Sequence, residues 1–257
     1  MIWQLFILLI CNISNVHGNK LIVSLQPISA YAGVPFPLQP TVTLTDDDGL
    51  TLLTANSGSV QVYLYDNPSE YGTLLPSSNS FTFVNGIATT SGLYLNTIGT
   101  GYSLIFVSLS FSLQAISVSF DILQGSAYTM AFVTHSGRGT GGVPFALQPS
   151  LAITDQGGNI MTDHHTGTVV VSIVQNPSGG TLTPSAGMTV SFSNGIATFV
   201  GLKIDIIGGP YILEFETDVV LSGDSIVSSF PFTIGVGPAA SVSFIPNFFR
   251  IPLTIFL

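Results

Sequence analysis

The chain has 257 residues and a formal net charge of −9, and only 7% of its residues are charged although 46% are hydrophobic. Four lysine and arginine residues are too few to build a basic surface that follows a phosphate backbone, so we expect no nucleic-acid partner. High hydrophobicity together with low charge also excludes disorder as the state of the whole chain.

Residues 1–18 predict a secretory signal peptide. Residues 2–13 are apolar but too few to span a bilayer comfortably. Val16 and Gly18 are small enough for the positions before a cleavage site, so we expect cleavage after Gly18. A basic segment before the apolar stretch is missing, which leaves an uncleaved membrane anchor as the alternative. The single cysteine, Cys11, lies inside this segment, so the mature chain would contain no disulfide.

The rest of the chain repeats itself with an offset of 109 residues. Residues 33–40 (GVPFPLQP) return as 142–149 (GVPFALQP), NPS at 67–69 returns at 176–178, and NGIAT at 85–89 returns at 194–198. A repeat of this length is one small domain and not a solenoid unit. The sequence therefore predicts two domains, residues 19–125 and residues 126–237.

The hydrophobic pattern within each repeat has a period of two, which is typical of β-strands. Tyr211, Leu213 and Phe215 alternate with Ile212 and Glu214, for example, and no window of a dozen residues fits an amphipathic helix. Turn signals follow at the spacing of about 8–12 residues found in sandwich and barrel proteins. About seven strands per repeat without crossover helices predict an antiparallel β-sandwich.

The acidic run 46–49 (DDDG) marks one hairpin turn, and its counterpart is 155–158 (DQGG). Carboxylates of this kind could bind calcium, but the run lacks the alternating ligand spacing and the terminal glutamate of an EF-hand loop. We therefore interpret it as an acidic turn. Calcium held between the domains by Asp121, Asp205 or the acids of residues 214–224 is the alternative.

The Asn-Gly pairs at 85–86 and 194–195 are the strongest turn signals. A type I′ turn needs positive φ at both central residues, which asparagine tolerates and glycine supplies freely. A two-residue turn fixes the register, so we expect Phe83 and Phe192 to face the core, each opposite an alanine. The alternative is that this hairpin is a recognition loop, present twice for one partner.

The adjacent His164 and His165, beside Asp163, are the best metal candidate. Adjacent residues of an extended chain point to opposite faces, which suits a single metal ion poorly. We therefore interpret the segment as a variable surface loop, because residues 54–56 of the first repeat are Thr-Ala-Asn. A catalytic Ser-His-Asp set would need one of these histidines or His135, and none lies near a G-x-S-x-G motif.

Glu214 and Glu216 share one face of a predicted strand and could act as paired carboxylates. The first repeat has Ile105 and Val107 at the corresponding positions. A pair used for acid–base chemistry in both repeats would need carboxylates in both, so we interpret these glutamates as a solvated strand edge.

The repeats end at Gly125 and Gly237, which are 112 residues apart, so the second repeat has gained three residues. We place them in the acidic stretch 214–225, a predicted loop where extra length costs little. Residues 238–257 begin like the opening strand of the second repeat and continue as an aberrant apolar tail. We predict the truncated start of a third repeat there. The short join between repeats predicts a stiff tandem.

The order of these motifs resembles the immunoglobulin-like tandem repeats of large secreted and cell-surface proteins of the adhesin type. The motifs are GVPFxLQP, a strand, Asp-x-x-Gly, NGIAT, and then a Gly-Leu and an Ile-Gly pair. The resemblance covers nearly all of residues 19–237. It implies an all-β fold of two tandem immunoglobulin-like antiparallel β-sandwiches that act as spacers or adhesive modules, and it supplies no catalytic motif.

We therefore expect a non-enzymatic structural or spacer module of a secreted or cell-surface protein. Its partners would be neighbouring immunoglobulin-like repeats of a longer chain. A sandwich with few charges benefits from neighbours that cover its strand edges, which favours such a role. The first alternative is an adhesion module that binds an extracellular protein or glycan through end loops. The second is an accessory domain of a larger extracellular enzyme. We predict no catalytic, cofactor-binding or metal-binding residue.

Overall fold

The computed structural model describes residues 19–47, 49–50, 55–184 and 187–237. These residues contain 22 β-strands and no α-helix. The predicted signal peptide, residues 1–18, and the predicted start of a third repeat, residues 238–257, lie outside the described residues.

The strands form two sets of eleven that follow one another along the chain. The first unit contains β1 (Lys20–Leu25), β2 (Ala30–Tyr31), β3 (Thr41–Thr45), β4 (Ser59–Asp66), β5 (Leu74–Leu75), β6 (Ser80–Thr82), β7 (Ile87–Thr89), β8 (Tyr94–Leu95), β9 (Gly99–Ser108), β10 (Leu113–Ile116) and β11 (Phe120–Leu123). The second unit contains β12 (Thr129–Thr134), β13 (Gly139–Thr140), β14 (Ser150–Thr154), β15 (Thr168–Gln175), β16 (Leu182–Thr183), β17 (Thr189–Ser191), β18 (Ile196–Thr198), β19 (Lys203–Ile204), β20 (Gly208–Thr217), β21 (Ile226–Ser228) and β22 (Phe232–Gly235).

The two units have the same strand order. In the first, a three-stranded sheet β1-β3-β7 faces a larger sheet β2-β11-β9-β4-β6, in which β10 also pairs with β9. In the second, the sheets are β12-β14-β18 and β13-β22-β20-β15-β17, in which β21 also pairs with β20. The short ribbons β5-β8 and β16-β19 complete the units. All strand pairs are antiparallel except β2 with β11 and β13 with β22.

Each unit buries its own hydrophobic core between its two sheets. The alternation predicted for β20 is confirmed, because Tyr211, Leu213 and Phe215 are fully buried. Phe83 and Phe192 are buried as predicted. The all-β, antiparallel sandwich prediction is thus confirmed. The structure has more strands than the seven predicted per repeat, because two-residue strands are present and the last segment of each unit divides into two strands.

A buried serine produces that division in each unit. Ser117 lies between β10 and β11, where its N–H donates to the carbonyl of Leu104 and its Oγ accepts from the Leu104 N–H. Ser229 makes the same two bonds with Leu213. A side-chain oxygen thus replaces a backbone acceptor where the chain shifts from one pairing to the next. The sequence pattern did not predict this feature.

The glutamine of the repeated GVPFxLQP motif ties two distant loops together. Gln39 donates to the carbonyls of Phe36 and Leu93, and its Oε1 accepts from the Leu93 N–H. Gln148 makes the same three bonds with Phe145 and Leu202. The repeated motif therefore holds the same two loops together in each unit.

Two positional predictions for the second unit need correction. Residues 214–217 belong to β20, so the loop that carries the extra length is confined to residues 218–225, between β20 and β21. Glu214 and Glu216 do not lie at a strand edge, because β20 pairs with β15 on one side and with β21 on the other. They lie on the side of this interior strand that faces away from the core, where Glu214 is half-buried and Glu216 is exposed.

Candidate functional site

The predicted Asn-Gly turns are present in both units and are packed against a preceding segment. Asn85 and Gly86 have φ values of 52° and 75°, and Asn194 and Gly195 have values of 51° and 73°. Positive φ at both central positions is the signature of the predicted type I′ turn. Both glycines are buried, which favours a role in the fold over a role as an exposed recognition loop.

The two histidines considered as metal ligands support this turn in the second unit. The His164 carbonyl accepts from the Gly195 N–H at 2.7 Å, and Nδ1 of His165 accepts from the Asn194 N–H at 3.2 Å. The His164 ring packs edge-on against Phe192, with 5.9 Å between ring centroids. The two side chains therefore have separate structural contacts, and the segment is more than a variable surface loop.

The carboxylates of the acidic turns close those turns. Oδ1 of Asp46 accepts from the Leu50 N–H at 2.8 Å, and Asp47 forms an exposed ion pair with Lys20 at 3.8 Å. Asp48 lies outside the described residues. In the second unit, Oδ1 of Asp155 accepts from the N–H groups of residues 157 and 159. The Asp46 and Asp155 carboxylates therefore have a structural role in their turns.

The other acids considered for calcium are not brought together. Asp121 accepts from the Gly101 N–H, and Asp205 accepts from the Thr181 N–H. Both contacts lie within the acid's own unit. Among the residues that the structure describes, no three side chains of histidine, cysteine, aspartate or glutamate form a group able to hold a metal ion.

The carboxyl group of Asp218 is more acidic than that of an ordinary aspartate. Its Oδ1 accepts from the Thr168 N–H at 2.6 Å, and its Oδ2 accepts from the Thr168 hydroxyl at 3.0 Å. The backbone bond and then the hydroxyl bond lower the pKa of Asp218 below its ordinary value of 3.8, against a smaller opposing effect of burial. This carboxylate fastens the loop after β20 to the start of β15.

The contact between the two units is built from side-chain to backbone hydrogen bonds, and we call it the junction. Nδ2 of Asn159 donates to the carbonyl of Asn96 at 2.8 Å, and Nε2 of Gln124 donates to the carbonyl of Ile160 at 2.9 Å. Oδ2 of the buried Asp155 accepts from the Gly125 N–H at 3.1 Å. The 155–158 turn, predicted only as a hairpin, and the two residues that follow it therefore also hold the first unit.

Close backbone approach at the junction requires glycine on both sides. A Cβ on Gly33 would overlap the backbone of Gln156, and a Cβ on Gly157 would overlap the carbonyl oxygen of Asn96. Gly33 also has positive φ, at 76°, which favours glycine. A cavity of 540 Å³ beside these contacts is lined by Tyr31, Ala32, Val34, Gln124, Gly125, Ser126 and Gln156.

A second candidate site lies on the second unit, where the chain crosses between its sheets, and we call it the His135 groove. The His135 ring stacks between two phenylalanine rings, with centroid distances of 4.1 Å to Phe132 and 4.6 Å to Phe230. Phe230 is 70% exposed. A groove of 280 Å³ beside it is lined by Ser136, Gly137, Arg138, Phe230, Pro231, Phe232 and Thr233.

Two polar atoms in this region are buried without a hydrogen-bond partner among the described residues. They are Nδ1 of His135 and Oγ of Ser136, and the Ser136 residue is only 6% exposed. Buried polar atoms in folded proteins are nearly always paired with protein, water or a ligand. The sequence pattern missed this site, because it suggests His135 only as a catalytic histidine and Phe230 lies 95 positions further along the chain.

No family model matches the chain, and no curated protein is similar to it in sequence. It does share a fold resemblance with parts of longer proteins of known structure. A β-glycosidase from Bacteroides vulgatus is 11% identical with a TM-score of 0.35, over 84% of this chain and 25% of that one. Domains 4–9 of the surface layer protein SbsC are 16% identical with a TM-score of 0.30, over 86% and 32%.

The Escherichia coli adhesin FdeC is 16% identical with a TM-score of 0.28, over 85% of this chain and 65% of that one. This chain spans less than two thirds of each of the three structures. Similarity at this level identifies neither an activity nor a partner. No helix among the described residues is long and apolar enough to cross a bilayer.

Proposed function

We propose that the chain is an extracellular structural module, in which two β-sandwich units of the immunoglobulin-like type form a stiff spacer between binding elements. The junction carries this proposal. Asp155, Asn159 and Gln124 each bond to the backbone of the opposite unit. Side chains that reach across a short join restrict rotation between units, whereas independent units on a free linker move relative to each other.

Secretion is supported by the apolar segment at residues 2–13. We also propose that this stretch of chain is not an enzyme. The motifs common to both repeats form turns or, through their glutamine, hold two loops together. Neighbouring repeats of a longer chain would be its structural partners.

The spacing function is tested by a distance measurement between the two units. Spin labels would be placed on cysteines that replace the exposed Ser78 and Ser191, after Cys11→Ser removes the natural thiol. Pulsed electron paramagnetic resonance should show a narrow distance distribution, because the junction fixes one arrangement. A broad distribution in the parent protein would overturn the spacer proposal.

Gly157→Ala is the variant that tests the junction itself. Its new Cβ would overlap the Asn96 carbonyl and lie 2.8 Å from Cβ of Ala32, so the distribution should broaden while each unit keeps its own core. Gly235→Ala is the matched control, because the nearest atom to its Cβ would be 3.8 Å away. The control should leave the distribution unchanged.

An adhesive function is the second candidate, and the His135 groove favours it. An aromatic side chain that is 70% exposed beside a cation is a common feature of binding surfaces. The two functions are compatible, because the groove and the junction use different residues. The hypothesis of an accessory domain in a larger extracellular enzyme stays a prediction, which the full transcript would test.

A further inference from the structure

From the His135 groove we infer that the second unit binds a saccharide that carries a carboxylate, such as a uronic acid residue of an extracellular glycan. This inference rests on the adhesive function offered as the second candidate. Three properties of the groove support it: a rigid aromatic face, an unpaired cation, and a buried hydroxyl group without a partner.

The aromatic face is Phe230, which is held from behind. His135 stacks on one side of its ring at 4.6 Å, and Phe132 stacks on the far side of His135 at 4.1 Å. This three-ring stack leaves Phe230 70% exposed but restricts its rotation, so little side-chain entropy is lost on binding. An aromatic face carries partial negative charge, and a sugar ring presents rows of polarised C–H groups that complement it.

The cation is Arg138, which lines the groove together with Phe230. It forms no ion pair with any residue that the structure describes, in contrast to Lys20, which pairs with Asp47. The chain has a net charge of −9, so an unpaired guanidinium in a groove stands out against an acidic background. Guanidinium groups bind carboxylates through two parallel hydrogen bonds, which selects an acidic ligand.

The polar atom is Oγ of Ser136, which is buried and has no hydrogen-bond partner in the described part of the chain. Ser136 and the exposed Thr233 both line the groove. Hydroxyl groups of a sugar can both donate to and accept from such atoms. A flexible acidic peptide would satisfy Arg138 but offers no flat C–H face to Phe230, so the saccharide fits more of the groove.

The first unit lacks the site, although its framework is the same. Gln26 stands where the second unit has His135, and its side chain is bonded at both ends, to the Val23 carbonyl and the Val118 N–H. Val118 stands where the second unit has Phe230, and Ser29 stands where it has Arg138. Substituting the first unit's residues into the second unit should therefore remove the proposed binding groups and keep the framework.

The test is a titration of the full chain with trigalacturonate, in which nuclear magnetic resonance follows the shifts of the amides of residues 135–138, 229–230 and 232–233. We expect saturable binding with a Kd of about millimolar or tighter. Binding should weaken as salt is added, because a charge pair contributes. The methyl ester of the same trisaccharide keeps the rings and loses the charge, so it should bind roughly tenfold more weakly.

The variants Phe230→Val and Arg138→Ser introduce the first unit's residues and should each weaken binding roughly tenfold or more. His135→Gln should weaken it less, because it removes only the support behind Phe230. The controls are Tyr71→Val, at an aromatic residue that is 81% exposed in the first unit, and Lys203→Ser, at a cation outside the groove. Both controls should bind like the parent, and thermal unfolding should show that every variant is folded.

Each other outcome contradicts the inference in a defined way. Equal binding of the methyl ester would overturn the role of charge. Binding of a hexaglutamate peptide in place of trigalacturonate, at the same residues, would overturn the saccharide and leave adhesion standing. Binding of none of the probes would overturn the site. The spacer proposal is judged separately by the distance measurement, so its failure is distinguishable from this one.

Discussion

The two units differ most clearly at one matched position, where the first has Gln26 and the second has His135. Gln26 joins β1 to the segment between β10 and β11 by hydrogen bonds to Val23 and Val118. His135 gives up those bonds and instead stacks on Phe230. The same position in the fold therefore makes internal hydrogen bonds in the first unit and supports an exposed aromatic ring in the second.

Positions inside the units do not vary in this way. Gln39 and Gln148 make the same three bonds to their loops, and Ser117 and Ser229 make the same two bonds to their strands. Changing one of these side chains would leave buried backbone groups unpaired, at a cost of about 1–3 kcal/mol each. The comparison indicates that internal hydrogen bonds fix the framework, while residues that face outward are free to acquire binding functions.

The ends of the two units extend this contrast. Gly33 of the first unit, with φ of 76°, is in contact with Gln156 of the second. Its counterpart Gly142 keeps the same conformation, with φ of 73°, but a Cβ added there would have no described atom within 4 Å. The positive-φ glycine is present in both units, but only the one in the first unit contacts the other unit. Its conformation is therefore set by the fold of each unit and not by the contact at the junction.

We expect the largest effect from a change in the Asn-Gly turn, which both units share. Gly195→Val places a β-branched residue at positive φ, which costs about 1–3 kcal/mol, and its Cβ would also overlap the carbonyl oxygen of Met161. Gly201→Val is the matched control, because Gly201 has φ of 75° but open space around it. Chemical denaturation should show a larger loss of unfolding free energy for Gly195→Val than for Gly201→Val.

Equal losses for the two variants would mean that backbone strain alone sets the requirement for glycine and that packing against Met161 contributes nothing. Gly86→Val should lower the stability of the first unit through the same strain, by about 1–3 kcal/mol. If it does not, the two turns are not equivalent.

Local patterns in the sequence were sufficient to predict the turns and the sandwich. The Asn-Gly turns at 85–86 and 194–195 depend on φ preferences of two adjacent residues, so they could be predicted without knowledge of the fold. The alternation in β20 likewise follows from the period of a strand, so its core face could be assigned from the sequence.

The loop contacts of Gln39 and Gln148, the junction and the His135 groove could not be predicted, because they depend on residues far apart in the sequence. Gln39 contacts Leu93, Asn159 contacts Asn96, and His135 contacts Phe230. The repeat could have indicated the loop contacts, since glutamine returns at position 148 in the same motif. It could not have indicated the groove, because His135 and Phe230 are where the repeats differ.

We expect a smaller effect when the residue that supports each turn is replaced. This change tests whether the two units use equivalent residues for that support. His165 and Asn56 each accept a hydrogen bond from the turn asparagine, at 3.2 Å and 2.7 Å. His165→Ala should therefore lower the unfolding free energy by about 0.5–1.5 kcal/mol. His165→Asn should restore most of the loss, since asparagine performs this role in the first unit. If His165→Asn is as unstable as His165→Ala, the imidazole ring itself is needed.

The smallest effect concerns the acid sensitivity of the hydrogen bonds made by Asp218 in the second unit. Hydrogen bonds from Thr168 hold the pKa of Asp218 below 3.8, whereas the first unit has Leu109 at the corresponding position. A lowered folded-state pKa gives stability that is complete above the unfolded pKa and is lost as the pH falls through the folded value. Asp218→Asn should thus speed exchange of the Thr168 amide at neutral pH, and the difference from the parent should shrink as the pH falls below about 3.8. The control Glu216→Gln removes an exposed carboxylate from the same sheet and should leave that amide unchanged. A difference that persists undiminished in acid would show that Asp218 acts through packing and not through its charge.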